Sequence, residues 1–168
     1  MDREADFFEL FDEQRKTGKV DLLVRSKHDR VIDDKAGHLF ESVRDSPICG
    51  EMVIQVQRQS SRTKKSKQQA KPGHVQRSAT VAVRYKEIEL RPGVYQKNKA
   101  PIKLTVVHVQ ETIQPKDDEP VEWFLLTTFD VSSPEQAQQI LRWYCLRWRI
   151  EDWHRVLKSG CNIEKLQH

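Results

Sequence analysis

Hydrophobic residues recur at helical spacing near the start of the chain. Phe7, Phe8, Leu10 and Phe11 supply an apolar face in the segment DFFELF. The pattern runs to about Lys16, and Gly18 ends it. Val20 to Val24 is a short apolar run suited to a buried strand. From about Ser46 to Val121 the period becomes two. Met52, Ile54 and Val56 recur on one face, although Val53 breaks the polar face. Ala79, Val81, Val83 and Tyr85 alternate in the same way, as do Ile88 with Leu90 and Ile102, Leu104 with Val106. Pro92-Gly93 and the region of Asn98 are turn signals. This reads as an antiparallel β subdomain. Glu122 to Thr128, EWFLLTT, is a further, largely apolar strand.

A second helix follows. Ser132 or Ser133 can cap its start, Pro134 suits its first turn, and Glu135 adds a carboxylate there. Gly160 stands just past the last periodic residue, where helices commonly stop. Tyr144, Arg147, Glu151 and Lys158 are spaced by 3, 4 and 7. At roughly 100° per residue they fall within an arc of about 60°. One carboxylate thus shares a stripe with a phenol, a guanidinium and an ammonium. Trp143, Trp148 and Trp153 are spaced by five, so they form no single stripe and some must pack on the core.

The chain has 168 residues, room for one ordinary domain or parts of two. The apolar fraction is 37% and the charged fraction 32%, polar for a complete globular domain. The net charge of +4 is compatible with a polyanionic partner. Cys49, Cys145 and Cys161 are odd in number and lack CxxC spacing, which argues against a disulfide framework or a zinc knuckle and suits a reducing cytosol. No apolar run approaches the roughly 20 residues needed to cross a bilayer, and no signal peptide opens the chain.

The stripe on the second helix suits phosphate chemistry. Glu151 can hold a divalent cation through hard oxygens, and Arg147 offers a planar fork that fits a phosphodiester. Lys158 adds a point charge about two turns away. The same residues also fit an ordinary amphipathic helix with charge pairs on its wet side. Arg58 to Arg77 is strongly basic and contains no acid, with Lys64, Lys65 and Lys67 at its centre. It reads as a hairpin loop that can order on a DNA backbone. Arg25, Lys27 and Arg30 follow the short strand, either as solvated loop charge or as phosphate contacts. Trp123 fits either a sheet position in the core or a platform for a base. Asp2, on residue type alone, fits a helix cap or a terminal residue, and His154 a surface or packing histidine.

Tyr-x2-Arg-x3-Glu-x6-Lys, with RWRIEDWH at its centre, resembles the signature of the insertion-sequence-4 group of bacterial transposases, DDE enzymes with a ribonuclease H-like core. Asp2-Arg3-Glu4-Ala5-Asp6 resembles that family's segment carrying the second catalytic aspartate. Arg25-Ser26-Lys27-His28 looks like its next strand and basic exit, and Trp123 stands 28 residues before Glu151, as a tryptophan does in relatives. The resemblance touches both ends of the chain and is weakest from about Asp33 to Lys116.

The resemblance implies an α/β fold with three segments. Residues 1–45 would belong to a partial ribonuclease H-like core, 46–121 to a β-rich insertion, and 122–168 to a return strand and a long signature helix. It implies metal-dependent phosphodiester cleavage and strand transfer on double-stranded DNA. Asp2 and Glu151 would be the catalytic, metal-holding carboxylates of a site for two Mg²⁺ or Mn²⁺ ions. Tyr144, Arg147, Lys158, Arg25, Lys27 and Arg30 would bind DNA, Trp123 would hold a flipped base, and Lys64, Lys65 and Lys67 would add backbone contacts. A dimer and a place in the bacterial cytoplasm are implied too. The first aspartate has no counterpart here, so the chain is expected to be a C-terminal part of the catalytic domain. The alternative is a non-catalytic, DNA-binding or inhibitory product of a decayed gene.

Overall fold

The computed structural model describes residues 7–56, 76–96, 98–116 and 118–160; for residues 95, 148, 151, 152, 154, 155 and 158–160 it describes the backbone alone. The order of elements is α1 (Phe8–Thr17), β1 (Leu23–Arg25), α2 (Leu39–Arg44), β2 (Gly50–Val56), β3 (Arg77–Leu90), a 3-10 turn (Val94–Gln96), β4 (Ile102–Glu111), β5 (Glu122–Thr127) and α3 (Pro134–Gly160). The fold is thus mixed α/β.

All five strands form one antiparallel sheet in the order β1-β5-β4-β3-β2. The strands from the alternating region, β2 to β4, continue directly into β5 and β1. One sheet therefore runs through all three segments expected from the sequence. Between β1 and β2 the chain crosses from one edge of the sheet to the other, laying α2 over β3 and β4 on the way.

Alternation along each strand sends side chains to two separate cores, one on each face. On one face, Val24, Ile88, Leu90, Leu104, Val106, Phe124 and Leu126 pack with Phe8 and Phe11 of α1 and Leu39 and Val43 of α2. On the other, Val81, Val83, Val107, Val109, Trp123 and Leu125 pack with Ala137, Ile140, Leu141 and Tyr144 of α3. Helices cover both faces, so β4 is buried without a break from Leu104 to Val109, although its sequence keeps polar residues such as Thr105 and His108 among the apolar ones.

Local signals explain the element ends. Gly18 adopts φ 59° and caps α1, its N–H donating to the Gln14 carbonyl. Phe7 precedes α1 in extended geometry and is exposed, so the apolar face of that helix is Phe8 and Phe11 with Leu10. The buried strand expected over Val20–Val24 begins only at Leu23, and Val20 is exposed. At the start of α3, Ser133 Oγ accepts from the Gln136 N–H at 3.3 Å, and Gln136 Oε1 accepts from the Ser133 N–H at 3.2 Å. This reciprocal pair is a capping box. Among the described residues, no helix is long and apolar enough to cross a membrane.

Candidate nucleic-acid interface

Three elements meet where β1 ends, β5 begins and α3 passes its second turn. Arg25 pairs with Leu125 across the β1–β5 ladder, so its side chain emerges on the α3 face diagonally opposite Trp123. The Arg25 guanidinium carbon lies 5.5 Å from the Trp123 ring centroid, and its Nη2 donates to the Glu122 carbonyl at 3.4 Å. Trp123 meets Tyr144 edge to face, with centroids 5.2 Å apart. Arg147 then lies over the Tyr144 ring at 5.4 Å. The result is a run of four side chains, Arg25–Trp123–Tyr144–Arg147, with an aromatic pair inside and a guanidinium at each end. Each cation–π contact is worth about 0.5–2 kcal/mol, depending on desolvation.

The aromatic members are interior. Trp123 is 5% exposed and Tyr144 is 2% exposed, with its hydroxyl oxygen buried. The arginines are half-buried, so their guanidinium ends mark the surface of the run. A base stacked on Trp123 would have to displace Arg25 from the ring face. Lys27 is exposed and Arg30 half-exposed just beyond β1, on the same strand exit as Arg25. Between Asp21–Leu23 and α3 runs an open cleft of about 330 Å³, lined on the helix side by Trp143, Tyr144, Leu146, Arg147 and Ile150.

On the opposite face, a network not anticipated from the sequence fixes the start of β5. Arg44 of α2 holds the Glu122 carboxylate with two hydrogen bonds, both 2.9 Å. His108 of β4, fully buried, places Nε2 3.0 Å from Glu122 Oε1. A carboxylate only accepts, so Nε2 carries the proton and Nδ1 is left as an acceptor. His108 also stacks on Phe124 at 4.5 Å, and Phe124 stacks on Phe40 at 3.9 Å. Burial pulls the His108 pKa down, against the opposing pull of Glu122, while Arg44 holds Glu122 below the usual carboxylate range. The available signal was a histidine inside an otherwise apolar strand, followed by a carboxylate at the head of the next.

The remaining expected site residues fall elsewhere. Glu151 and Lys158 lie on α3, and their side chains are outside the described residues. Asp2 and the loop residues Lys64, Lys65 and Lys67 are also outside them. Among the described residues, no cluster of three or more His, Cys, Asp or Glu side chains is placed to hold a metal ion. The donor chemistry of Asp2 and Glu151, hard carboxylate oxygens, is of the kind that suits Mg²⁺ or Mn²⁺.

A family model described as "Transposase DDE domain" matches residues 2–168. The match takes in both expected carboxylates, the strand exit with Arg25 and the whole of α3. The chain belongs to the transposase DDE domain family.

Proposed function

We propose that this chain acts in DNA transposition as part of a DDE catalytic domain of the insertion-sequence-4 type, with Tyr144, Arg147, Glu151 and Lys158 as its signature. The family's chemistry is metal-dependent phosphoryl transfer. The observation that carries the finer reading is the run Arg25–Trp123–Tyr144–Arg147, which brings a strand-exit arginine and a helix arginine to the two ends of one buried aromatic pair. In this reading β1, β5 and α3 belong to a ribonuclease H-like core (residues 1–45 and 122–168), and β2 to β4 are the insertion (46–121).

The residues divide the work. Arg25 and Arg147 receive phosphate oxygens through planar, permanently charged forks. Lys158, Lys27 and Arg30 add point charge along the backbone, and Lys64, Lys65 and Lys67 extend that track. Trp123 and Tyr144 fix the separation of the two arginines, and Trp123 offers its face to a displaced base when Arg25 moves aside. Asp2 and Glu151 would hold the divalent cations, whose bound form supplies Lewis-acid activation of the attacking oxygen. Catalysis needs a third carboxylate. The full-length protein would act as a dimer on double-stranded transposon ends, in the bacterial cytoplasm.

The deciding assay is nicking of DNA bearing the element's own ends. It uses the chain alone and the chain joined to the sequence encoded immediately upstream. Nicking is expected only with Mg²⁺ or Mn²⁺, and Glu151→Gln should abolish it while DNA binding persists. Normal cleavage by Glu151→Gln sinks the assignment. Salt-sensitive DNA binding without nicking in either polypeptide would favour the non-catalytic reading.

A further inference from the structure

β2 is the last strand on one side of the sheet, and among the described residues nothing pairs with its outer edge. Its neighbour β3 takes only the inner set of backbone groups. Native edge strands are commonly shielded by short length, a lysine, a proline, a bulge or a covering element. β2 spans seven residues, keeps an unbroken register with β3 from Gly50 to Val56, and carries no lysine, arginine or proline. The other edge strand, β1, spans only three residues, and Leu23 and Arg25 in it have further partners. The core beneath α1 and α2 stops short of β2, so Glu51, Val53 and Gln55 are exposed on that face, Val53 at 65%. On the opposite face, Met52 and Ile54 join the core beneath α3.

The order of side chains decides what fits this edge. Val53 is the middle residue of the strand. A second β2 laid antiparallel about a two-fold axis through Val53 overlaps along the whole strand. Val53 then meets Val53, Met52 meets Ile54, Gly50 meets Val56 and Glu51 meets Gln55. Apolar side chains face one another, and each carboxylate faces a carboxamide that can donate to it. Moving the axis to Met52 or Ile54 shortens the overlap and sets Glu51 or Gln55 against Val53. Parallel pairing in register sets Glu51 beside Glu51, which costs. A strand from another protein would have to bring a matching order, whereas β2 supplies its own. We propose that β2 is the contact between two copies of this chain, each adding its five strands to one continuous sheet. The contact is isologous and closes at two copies. One strand edge is small for an interface, so the dimer is weak and reversible. The inference gives a surface to the dimer of the proposed function and rests on that part of it alone, not on the catalytic assignment.

Val53→Lys sets two like charges against each other at the axis. Sedimentation over a concentration series should show the parent chain dimerising, and the lysine variant should have a dissociation constant at least about tenfold higher. Cysteine cross-linking reads the register, with Cys49, Cys145 and Cys161 changed to alanine. Val53→Cys should link to itself under mild oxidation, because directly opposed Cα atoms lie about 4.5–5.5 Å apart, within disulfide reach. Glu51→Cys and Gln55→Cys should each fail to link alone and should link when mixed. A dimer in which the mixed pair stays unlinked, or in which Glu51→Cys links to itself, overturns the proposal. So does a chain that is monomeric at every concentration, including one whose β2 amides gain protection from exchange only when an extended peptide of another sequence is added. The same series on the polypeptide extended upstream separates the two readings: a dimer there that is indifferent to Val53→Lys refutes the β2 contact and leaves the dimer of the proposed function standing.

Discussion

The Arg25 guanidinium rests on the face of Trp123, 5.5 Å from the ring centroid, and is tethered by the Glu122 carbonyl of the same strand. A side chain held from both sides loses little freedom when it meets a phosphate. Arg25→Ala should therefore weaken DNA binding and lower the slope of log K against log salt by about one. Fluorescence anisotropy over a salt series measures this. A slope unchanged by the substitution would remove Arg25 from the interface.

Tyr144 gives a sharper separation between packing and contact. Its ring fills the α3-side core against Trp123, whereas only its hydroxyl distinguishes it from phenylalanine. Tyr144→Ala should cost on the order of 3–5 kcal/mol by leaving a cavity under α3. Tyr144→Phe should keep most of the stability, and any effect on DNA binding would then report the hydroxyl alone. Urea denaturation midpoints for the two variants check the first part. Equal losses would mean that the hydroxyl, rather than the ring, holds the site.

The basic segment that begins at Arg58 is expected to bind DNA without regard to sequence; Arg77, counted with it in the sequence, is instead the first residue of β3, where Glu111 and Asp118 hold its guanidinium. Replacing Lys64, Lys65 and Lys67 together by alanine should make the salt dependence shallower by about two to three in slope, since each removed phosphate contact counts nearly once. Affinity for unrelated duplexes should fall by the same factor as for transposon ends. A change confined to one sequence would point to base readout instead.

The His108–Glu122–Arg44 network predicts acid sensitivity, and its sign is determined. The folded His108 has a pKa below its ordinary 6.5, through burial, so the folded state resists protonation. The unfolded chain takes up that proton first, and stability falls as pH drops below about 6.5. Glu122 has a pKa below its ordinary 4.5, mainly through Arg44, so its contribution is present above 4.5 and is lost on further acidification. The groups facing His108 are Glu122 of β5, Arg44 of α2 and, on β3, Arg84; the two arginines add to its resistance to charging. His108→Phe keeps a flat ring against Phe124 and should flatten the first limb while leaving the second. Denaturation midpoints at pH 7.5 and 5.5 would show it, and an equal drop in variant and parent would exclude His108 as the cause.

Much of the fold was legible because its strands alternate. Met52 and Ile54, Ala79 to Tyr85, and Ile102 to Val106 each face the sides that their spacing implied. The capping box at Ser133 and the stop at Gly18 were equally readable, since both depend on local chemistry. What the spacing hid was long-range. Nothing local tells that β5 inserts between β1 and β4, because pairing depends on which edges meet and not on which residues alternate. The stripe of Tyr144 and Arg147 was visible as helical spacing, but the burial of Tyr144 was not, since the helix carries apolar residues on more than one side. The Glu122–Arg44 pair joins residues far apart in sequence, and each looks alone like a surface charge.

Because Leu23 pairs with Thr127, the first strand of the sheet waits for the last. Leu23 and Thr127 are roughly a hundred residues apart, and a ribosome must deliver all of that intervening chain before β1 has a neighbour to bond. Until then β1 lacks its ladder partner, and the hairpin of β3 and β4, with its long continuous ladder, can form ahead of it. Maturation of this sheet thus runs against the order of synthesis: β1 is made before its partner and closes last, and a chain released before β5 would carry Leu23–Arg25 as an unpaired strand.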